Sequence, residues 1–409
     1  MDMLAQNKGV FIVGIDDQGL ILQQEPALSL LKQADTIFGG KRHLSYLPAN
    51  LKAEQRSWSC KIKDNIKEID TLSESKKIIV LATGDPLTYG IGATLLRDID
   101  ASKCHFLPSS NAFQLAASRL KWDLTRVETI SLHGRPIETI RQFIYPHAKI
   151  LILSKDKTTP SAVREYLHNE MGISEVHFHA LSHMGGVKEK YIQWQMGDDC
   201  PVFDDFHTFA IEFTANVGKN WSAYAGSLPD SAFIHDGKMT KQQARISAMA
   251  HLQPFKNAVF WDVGSGCGSI SIEYGLKAPF SKIFAIDHQA KRHDMLEDNM
   301  QALGFTAENI IKIAEKAPDC FASLPDPDAI FIGGGLSNIS IANEAINRLS
   351  PSGRLVAHAV TLESEANLLS LYHEYGGQLT RMQFSNAEKV GPYSGWRSQM
   401  PITQWCFQK

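Results

Sequence analysis

The fold of the C-terminal half is decided by one glycine-rich stretch, Asp262-Val-Gly-Ser-Gly-Cys-Gly268. An apolar run over 259–263 leads into it, and a helical pattern over 269–275 follows it. Glycines let the backbone turn sharply and let a ligand approach the main-chain amides. The N-terminus of the following helix also offers unsatisfied N–H groups to an anion. The stretch therefore predicts a strand, a ligand-binding loop and a helix in succession.

Two acidic residues help to identify the ligand. Asp262 precedes the loop, and Asp287 ends the next predicted strand, where a carboxylate accepts both hydroxyls of a ribose. A dinucleotide fold requires a third glycine where this chain has Ser269. A pyrophosphate at about 4 Å from Asp262 would also be repelled by several kcal/mol. S-adenosylmethionine (SAM) has no phosphate, and its ammonium group suits Asp262. The pattern favours SAM over a dinucleotide or an empty structural turn.

Apolar runs alternate with helical patterns along the whole chain, which predicts parallel sheets covered on both faces. A stretch rich in Gly, Ser, Asn and Pro, 218–231, interrupts this rhythm and indicates a domain boundary. We expect domains at 1–217 and 233–409 with a linker at 218–232; the alternative is one domain with a long surface loop. The predicted strands are 11–14, 78–82, 149–153, 208–213, 259–263, 282–286, 329–332 and 354–358.

Composition excludes several classes of function. The 409 residues are 44% hydrophobic and 21% charged, with a net charge of −3, so nothing points to nucleic acid or to an anionic membrane. No apolar run approaches the roughly 20 residues that span a bilayer. The six cysteines lie far apart without C-x-x-C spacing, which favours reduced thiols in a cytoplasm.

The N-terminal half carries different motifs. Thr83-Gly-Asp-Pro-Leu-Thr-Tyr-Gly-Ile-Gly92 follows a predicted strand, and Leu107-Pro-Ser-Ser-Asn-Ala-Phe113 enters a helix over 112–120. Ser131-Leu-His-Gly-Arg135 places a histidine and an arginine on a glycine turn. Each motif has the alternative of a rigid turn without a ligand. A histidine cluster over 177–183 lacks a carboxylate or a cysteine to complete a recognisable set, so we expect no metal.

Further candidates surround the C-terminal glycine stretch. Thr240 is a predicted helix N-cap whose hydroxyl could face the methionine carboxylate, which the loop amides would also bind. Gly333-Gly-Gly335 ends a predicted strand, where ligands bind in open α/β sheets. Gly391-Pro-Tyr-Ser-Gly-Trp-Arg397 is either a loop that contacts substrate or an ordinary surface hairpin.

Together, these residues resemble two families. The N-terminal half resembles the tetrapyrrole (corrin/porphyrin) methylases, in the branch that methylates C5 of a precorrin. The chain from Phe233 to about Trp405 resembles the decarboxylating precorrin methyltransferases, and the fusion resembles the bifunctional precorrin-6Y C5,15-methyltransferase family. The residues that carry the resemblance are 13–15, 84–86, 89–92, 108–110 and 131–135 in the first half, and 240–241, 262–268, 285–287, 317–318 and 333–335 in the second.

The resemblance implies an α/β protein with an N-terminal two-lobed class III SAM methyltransferase fold and a C-terminal Rossmann-like class I SAM methyltransferase domain. It implies two SAM sites per chain, a tetrapyrrole substrate of cobalamin biosynthesis, and methylation at C5 and C15 with loss of CO2 from the ring C acetate. It also implies homo-oligomers, because isolated C-terminal relatives are expected to form tetramers. The implied SAM contacts are Gly84, Asp85, Tyr89, Gly90 and Ser110 at the first site, and Thr240, Asp262, Gly264, Ser265, Gly266, Gly268 and Asp287 at the second.

Some roles remain open. Lys316 stands where the family often has an acid, which puts a carboxylate contact to adenine in doubt. His133 and His235 are weak acid–base candidates. Candidate partners for the substrate carboxylates are Arg135, Lys241 and Arg397. Two alternatives stand beside this hypothesis: a SAM methyltransferase for another small molecule with an inactive N-terminal half, and a non-catalytic SAM- or nucleotide-sensing module.

Overall fold

The structure is a computed structural model that describes residues 6–59, 61–217 and 226–409. The chain forms two compact units, one from Met1–Arg135 and Pro146–Asn216, the other from Pro136–Tyr145 and Val217–Lys409. Residues 218–225 of the predicted linker lie outside the described residues. The remaining linker residues group with the second unit, where Leu228 is buried.

The first lobe of the first unit is a parallel sheet of five strands in the order β3-β2-β4-β1-β5. Its interior strand β1 is buried along all seven residues, as expected of an apolar strand covered on both faces. The elements are β1 (Gly9–Ile15), α1 (Ala27–Gln33), β2 (Thr36–Gly39), α2 (Lys41–Leu44), β3 (Glu54–Ser57), α3 (Ile62–Ser73), β4 (Lys77–Thr83), α4 (Ile91–Leu95) and β5 (Cys104–Leu107).

The second lobe is a mixed sheet in the order β6-β7-β10-β8-β9. Only β6 and β7 pair in parallel, so the prediction of wholly parallel sheets is wrong here. The reason is the connections: β8 returns directly to β9, and no helix lies between β9 and β10. The elements are α5 (Ala112–Leu120), β6 (Glu128–Ser131), β7 (Lys149–Leu153), α6 (Thr159–Asn169), β8 (Val176–Ser182), β9 (Lys190–Gln195) and β10 (His207–Phe213).

The second unit contains a seven-stranded sheet in the order β13-β12-β11-β14-β15-β19-β16. Five strands pair in parallel, whereas β19 pairs antiparallel with both of its neighbours, β15 and β16. The elements are α7 (Gln242–Leu252), β11 (Val259–Val263), α8 (Ser269–Lys277), β12 (Lys282–Ile286), α9 (Ala290–Ala302), β13 (Ile310–Ile313), β14 (Ala329–Ile332), α10 (Ile339–Arg348), β15 (Arg354–Ala359), α11 (Leu362–Tyr375), β16 (Gln378–Met382), β17 (Ser385–Val390), β18 (Tyr393–Ser398) and β19 (Ile402–Gln408).

The predicted strands are all present, and three in the second unit, β11, β12 and β14, have the predicted bounds. The stretch 391–397 lies in a surface hairpin formed by β17 and β18, which is one of its two predicted alternatives. Among the described residues, no helix combines the length and apolar character needed to cross a bilayer. The five described cysteines are free, whereas Cys60 lies outside the described residues.

Candidate functional site

The glycine loop of the second unit connects β11 to α8, as predicted. Gly266 and Gly268 adopt left-handed φ values of 56° and 80°. A methyl group at Gly268 would overlap Leu296, whereas one at Gly266 would meet nothing within 4 Å. Gly268 is thus required for close packing of the loop on α9, and Gly266 leaves open space beside the loop.

Asp262 is a buried carboxyl with one unused oxygen. Its Oδ2 accepts hydrogen bonds from Ser271 N at 3.0 Å and Ser271 Oγ at 2.6 Å. Its Oδ1 is buried and has no partner among the described residues. Burial raises the pKa of Asp262 to about 7. A buried carboxyl oxygen without a partner is the kind of group that a water molecule, an ion or a ligand satisfies.

Asp287 lies at the end of β12, as predicted, but its carboxylate is already bonded within the chain. Oδ2 accepts from Gly266 N at 3.1 Å and from Arg292 Nη1 at 3.1 Å. Oδ1 accepts from Gln289 N at 3.0 Å. Arg292 also lies 4.0 Å from the Asp236 carboxylate. A ribose that bonds to Asp287 therefore competes with the Arg292 guanidinium.

The amides of the loop point mostly into the protein. Gly264 N and Ser265 N both donate to Ile286 O, and Gly268 N donates to Ser265 O. We expected these amides to bind the methionine carboxylate. In this structure the first two hold the loop against β12 and the third closes the loop on itself, because buried amides need hydrogen-bond partners.

The cleft above the loop has a volume of about 140 Å³. This is below the roughly 300–1,000 Å³ of most ligand pockets. Of the seven predicted second-site residues, Gly264 and Asp287 line it; Thr240, Asp262, Ser265, Gly266 and Gly268 do not. The other lining residues include Lys316, Gly334 and Gly335, so the predicted strand-end glycines and the unexpected lysine do meet at this cleft.

Thr240 is not the N-cap of α7, so that prediction is wrong. The N-cap is Lys241, and it makes no side-chain cap hydrogen bond. The physical reason is a neighbouring carboxylate: Asp230 Oδ1 accepts from Gln242 N at 2.9 Å and from Arg245 Nη1 at 2.7 Å. An acid near the first turn satisfies the helix N-terminus without the hydroxyl.

The first unit contains a larger cavity, of about 650 Å³. Its lining comes from the strand ends of both lobes and includes four of the five predicted first-site residues: Gly84, Tyr89, Gly90 and Ser110. Asp85 is not part of the lining. Its carboxylate instead accepts from Leu87 N at 2.8 Å and from Thr88 Oγ1 at 3.1 Å, which holds the loop in shape.

Close packing of strand ends shapes the floor of this cavity. The Gly84 amide donates to Ile15 O at 2.8 Å, and Ser109 N donates to Gly84 O at 3.3 Å. A methyl group at Gly14 would overlap the Gly84 carbonyl oxygen and lie 2.7 Å from Ser109 N. Glycine at position 14 therefore allows the ends of β1 and β4 and the loop after β5 to converge.

Tyr89 links the two lobes across the cavity. It has a left-handed φ of 53°, and its hydroxyl donates to Thr129 O at 3.1 Å. Its ring packs edge-on against Phe113 at 5.9 Å between centroids, and the Arg135 guanidinium lies 5.7 Å from its ring centre. Arg135 and His133, both predicted candidates, also line the cavity.

A charged cluster at the cavity was missed by the sequence analysis. Arg42 Nη1 lies 2.7 Å from Asp17 Oδ1, and the guanidinium stacks 4.2 Å from the Phe206 ring centre. His183 Nδ1 lies 3.6 Å from Asp17 Oδ2. Asp17 and His183 each follow the end of an apolar strand, and this position is the one sequence signal that could have identified them.

The remaining candidates are placed as follows. His179 Nδ1 lies 2.9 Å from the Tyr191 hydroxyl, and the described residues contain no group of three or more metal-binding side chains. His235 Nδ1 accepts from Gly237 N at 2.9 Å in an exposed turn. Two of the predicted substrate cations have acidic neighbours: Lys241 lies 3.9 Å from Asp230, and Arg397 lies 3.1 Å from Glu388.

Comparisons with known proteins cover both halves. The family described as Tetrapyrrole (Corrin/Porphyrin) Methylases matches residues 22–198, and the precorrin methyltransferase domain family matches residues 231–409. A Sinorhizobium protein named precorrin-6Y C(5,15)-methyltransferase (decarboxylating) is 33% identical over 403 residues, covering 97% of this chain and 96% of that protein. A Mycobacterium tuberculosis protein of the same name is 31% identical over 406 residues, covering 98% and 100%.

One solved structure is also similar. It is the C-terminal domain of precorrin-6Y C5,15-methyltransferase from Rhodobacter capsulatus, which is 36% identical. The match covers 46% of this chain and 100% of that chain, with a TM-score of 0.43.

Proposed function

Because the chain belongs to the precorrin-6Y C5,15-methyltransferase (decarboxylating) family, we propose that it methylates precorrin-6Y at C5 and C15 and removes CO2 from the ring C acetate, giving precorrin-8 in cobalamin biosynthesis. The fold is a tetrapyrrole methylase domain followed by a Rossmann-like precorrin methyltransferase domain, and enzymes of this family use SAM. The full-length match to the Sinorhizobium relative carries the proposal.

We propose one SAM site in each unit, with C5 methylation assigned to 1–217 and C15 methylation with decarboxylation to 233–409. Two separate clefts support this division, because each lies at strand ends within its own unit, the first between the two lobes and the second above one sheet. In open α/β sheets, ligands bind at such strand ends. The order of the two family matches along the chain supports the same assignment.

At the first site, we propose that SAM is bound by Gly84, Tyr89, Gly90 and Ser110, with Asp85 holding the loop rather than the ligand. The cavity volume of about 650 Å³ fits a ligand of this size class. The Gly84 loop is fixed by β1 and β5 from beneath, so the ligand meets a rigid surface. SAM supplies an electrophilic methyl group on a sulfonium, and the chain supplies alignment of that methyl with the macrocycle.

At the second site, we propose that Asp262, Gly264, Ser265, Gly266, Gly268 and Asp287 form the SAM pocket, with Thr240 nearby. The unused Asp262 Oδ1 fits a cationic ligand, since the ammonium of SAM would satisfy it directly or through a water molecule. The open space beside Gly266 leaves room for ligand atoms. Asp287 fits the ribose after the Arg292 guanidinium has moved away.

Catalysis in both halves rests on positioning. The meso carbons of a reduced tetrapyrrole are enamine-like and already nucleophilic, so alignment of carbon, methyl and sulfur supplies much of the rate. Decarboxylation needs an electron sink, which the conjugated macrocycle provides. Cations at the first cavity, such as Arg135, suit the carboxylates of the substrate.

The test is to measure products and donor binding together. The expected product carries two added methyl groups and has lost CO2, as detected by mass spectrometry. Titration calorimetry with S-adenosylhomocysteine should give two sites per chain, and one site after Asp287→Ala. A product with one added methyl group, or a single binding site in the wild type, would refute the two-site proposal.

We further propose that the protein works in the cytoplasm as a homo-oligomer, associated through its C-terminal domain. The free state of the five described cysteines is in keeping with a reducing compartment. Light scattering of the full chain tests the oligomer, and a monomeric mass would overturn it.

A further inference from the structure

We propose that His183 is the proton acceptor for C5 methylation and that Asp17 is its positioning residue. The inference rests on the proposed function of the first unit and goes beyond the SAM contacts assigned above. It follows from four observations at one corner of the cavity: the neighbours of His183, its backbone conformation, its exposure, and the fixed position of the Asp17 carboxylate.

The first observation is the arrangement of groups around the imidazole. His183 Nδ1 faces Asp17 Oδ2 at 3.6 Å, which is longer than a hydrogen bond but within ion-pair range. In ligand-free enzymes such contacts often tighten only when substrate binds. The other ring nitrogen, Nε2, makes no hydrogen bond within the described part of the chain, so it is available to a substrate.

Asp17 is itself fixed. Arg42 Nη1 lies 2.7 Å from its Oδ1, and the Tyr46 hydroxyl donates to the Asp17 carbonyl at 2.7 Å. Gly186 leaves the space beside the carboxylate clear, since a methyl group there would lie 2.6 Å from Oδ2. A base oriented by a third group is the arrangement that proton-transfer sites share.

The backbone of His183 is unusual. Its φ is 51°, in the left-handed region that non-glycine residues rarely adopt, and such residues concentrate at active sites. The strained turn presents the ring to the cavity, where the side chain remains 29% exposed. The His183 ring also packs against Phe206, at 5.7 Å between centroids, and this contact limits rotation of the imidazole.

The other three histidines of the cavity suit the role less well. His43 Nε2 is bonded to Thr83 Oγ1 at 3.0 Å, and its Nδ1 is buried. His207 Nδ1 is bonded to Asp204 O at 2.7 Å, and its Nε2 is buried. His133 lies in the cavity, but the described residues place no carboxylate in contact with its ring.

The proposed step balances as follows. The electron pair of the C5 carbon forms the new bond to the methyl group, and the methyl–sulfur bond breaks with its pair left on sulfur. The macrocycle now carries a positive charge and a C5–H bond. His183 Nε2 takes that proton, and the C–H pair returns to the ring system to restore conjugation. The imidazolium, stabilised beside the Asp17 carboxylate, then releases the proton to water.

The test uses the full chain and the variants His183→Asn and Asp17→Asn. Asparagine tolerates the left-handed conformation of position 183, so the turn is preserved. The rate of C5 methylation at saturating SAM should fall about 100-fold in His183→Asn, at the lower end of general-base effects. In Asp17→Asn it should fall about tenfold. The KM for SAM and the calorimetric affinity for S-adenosylhomocysteine should stay within about twofold of wild type.

A second readout does not depend on methyl transfer. With S-adenosylhomocysteine bound in D2O, the reversible proton step should exchange the C5 hydrogen of the precorrin for deuterium in the wild type. The control His168→Asn, at an exposed position on α6, should show the same exchange. Exchange should be lost in His183→Asn. Exchange and C5 methylation at wild-type rates in His183→Asn would overturn the proposal while leaving the proposed function intact. A wild type that neither binds the ligand nor methylates C5 would overturn both.

Discussion

The two clefts have opposite designs for what we propose is the same ligand. The cavity of the first unit is about 650 Å³ and is lined by residues from two sheets, some buried and some exposed. The cleft of the second unit is about 140 Å³. Asp287, which lines it, is buried and bonded within the chain, and the neighbouring Asp262 is buried with one unused oxygen. The first cleft is a space between two lobes. The second cleft is formed by a loop and has two carboxylates beside it. Under this proposal, the ligand would fill an existing space in the first unit and would displace internal hydrogen bonds in the second.

The largest expected effect concerns Asp262 beside the second cleft, because burial raises the pKa of its carboxyl to about 7. The folded chain keeps a proton on Asp262 that the unfolded chain releases above about pH 4, so stability falls as pH rises from about 4 to about 7. A pKa of about 7 in place of the ordinary value near 4 corresponds to about 4 kcal/mol of unfolding free energy. In Asp262→Asn, the unfolding free energy of the second unit should lose that pH dependence, as measured by urea unfolding at about pH 5 and about pH 8.

The exposed Asp298 on α9 provides the control, because Asp298→Asn should leave the pH dependence as in wild type. An Asp262→Asn variant with an unchanged pH profile would show that the carboxyl is ionised in the folded state. A protonated buried carboxyl would then not distinguish the second cleft from the first.

The second prediction concerns the floor of the first cavity. Gly14→Ala places a methyl group against the Gly84 carbonyl, and backbone cannot move as a side chain can. We expect a loss of about 3 kcal/mol in stability and of C5 methylation, with C15 methylation retained. Thermal unfolding and product analysis check this. Gly197→Ala, where a methyl group meets nothing within 4 Å, should change neither.

The third prediction tests the carboxylate design of the second cleft. Asp287→Ala removes the proposed ribose acceptor, and hydrogen bonds to a charged group contribute about 1.5–3 kcal/mol. We expect about a 100-fold loss of S-adenosylhomocysteine affinity at one of the two sites by calorimetry, with C5 methylation unaffected. Asp294→Ala, at an exposed position on the neighbouring helix α9, is the control. Equal loss at both sites would contradict the separation of the clefts.

The smallest effect is expected from Lys316, an exposed lysine at the second cleft. Lys316→Glu places an acid where the resemblance implies one. It should tighten ligand binding, but by less than about fivefold, because exposed charges are screened. Calorimetry at low and at high salt checks this. A change far above fivefold, or one that persists at high salt, would show that the residue is desolvated in the complex.

Much of the second unit was predictable because its signals are local. The apolar run of β11, the glycines and the helix α8 follow one another in sequence, so their bounds could be predicted from pattern alone. The sequence could not predict that Arg292 pairs with Asp287 or that the loop amides point inward. Both features depend on how α9 packs on the loop. The mixed sheet of the second lobe also depends on long-range pairing.

The first cavity was predictable only in part. The Gly84 loop and the capped entry to α5 have clear turn chemistry, and Asn111 does form a capping box with Gln114. The cluster of Asp17, Arg42 and His183 is built from residues far apart in sequence. The left-handed backbone of His183 gives no sequence signal of its own, because histidine is not a residue that turns require.

Buried charges near the start of the second unit determine where the chain can be cut. Glu273 and Arg245 are fully buried and lie 3.3 Å apart, and Glu273 Oε1 also accepts from Ser227 Oγ at 2.5 Å and Leu228 N at 2.8 Å. A fragment that starts at Phe233 would strip Glu273 of these two donors and leave an under-solvated carboxylate in its interior. The second unit should therefore be expressed alone only with a start upstream of Ser227. Proteolytic cleavage between Leu228 and Phe233 should likewise destabilise the second unit, although it removes no residue of the predicted domain.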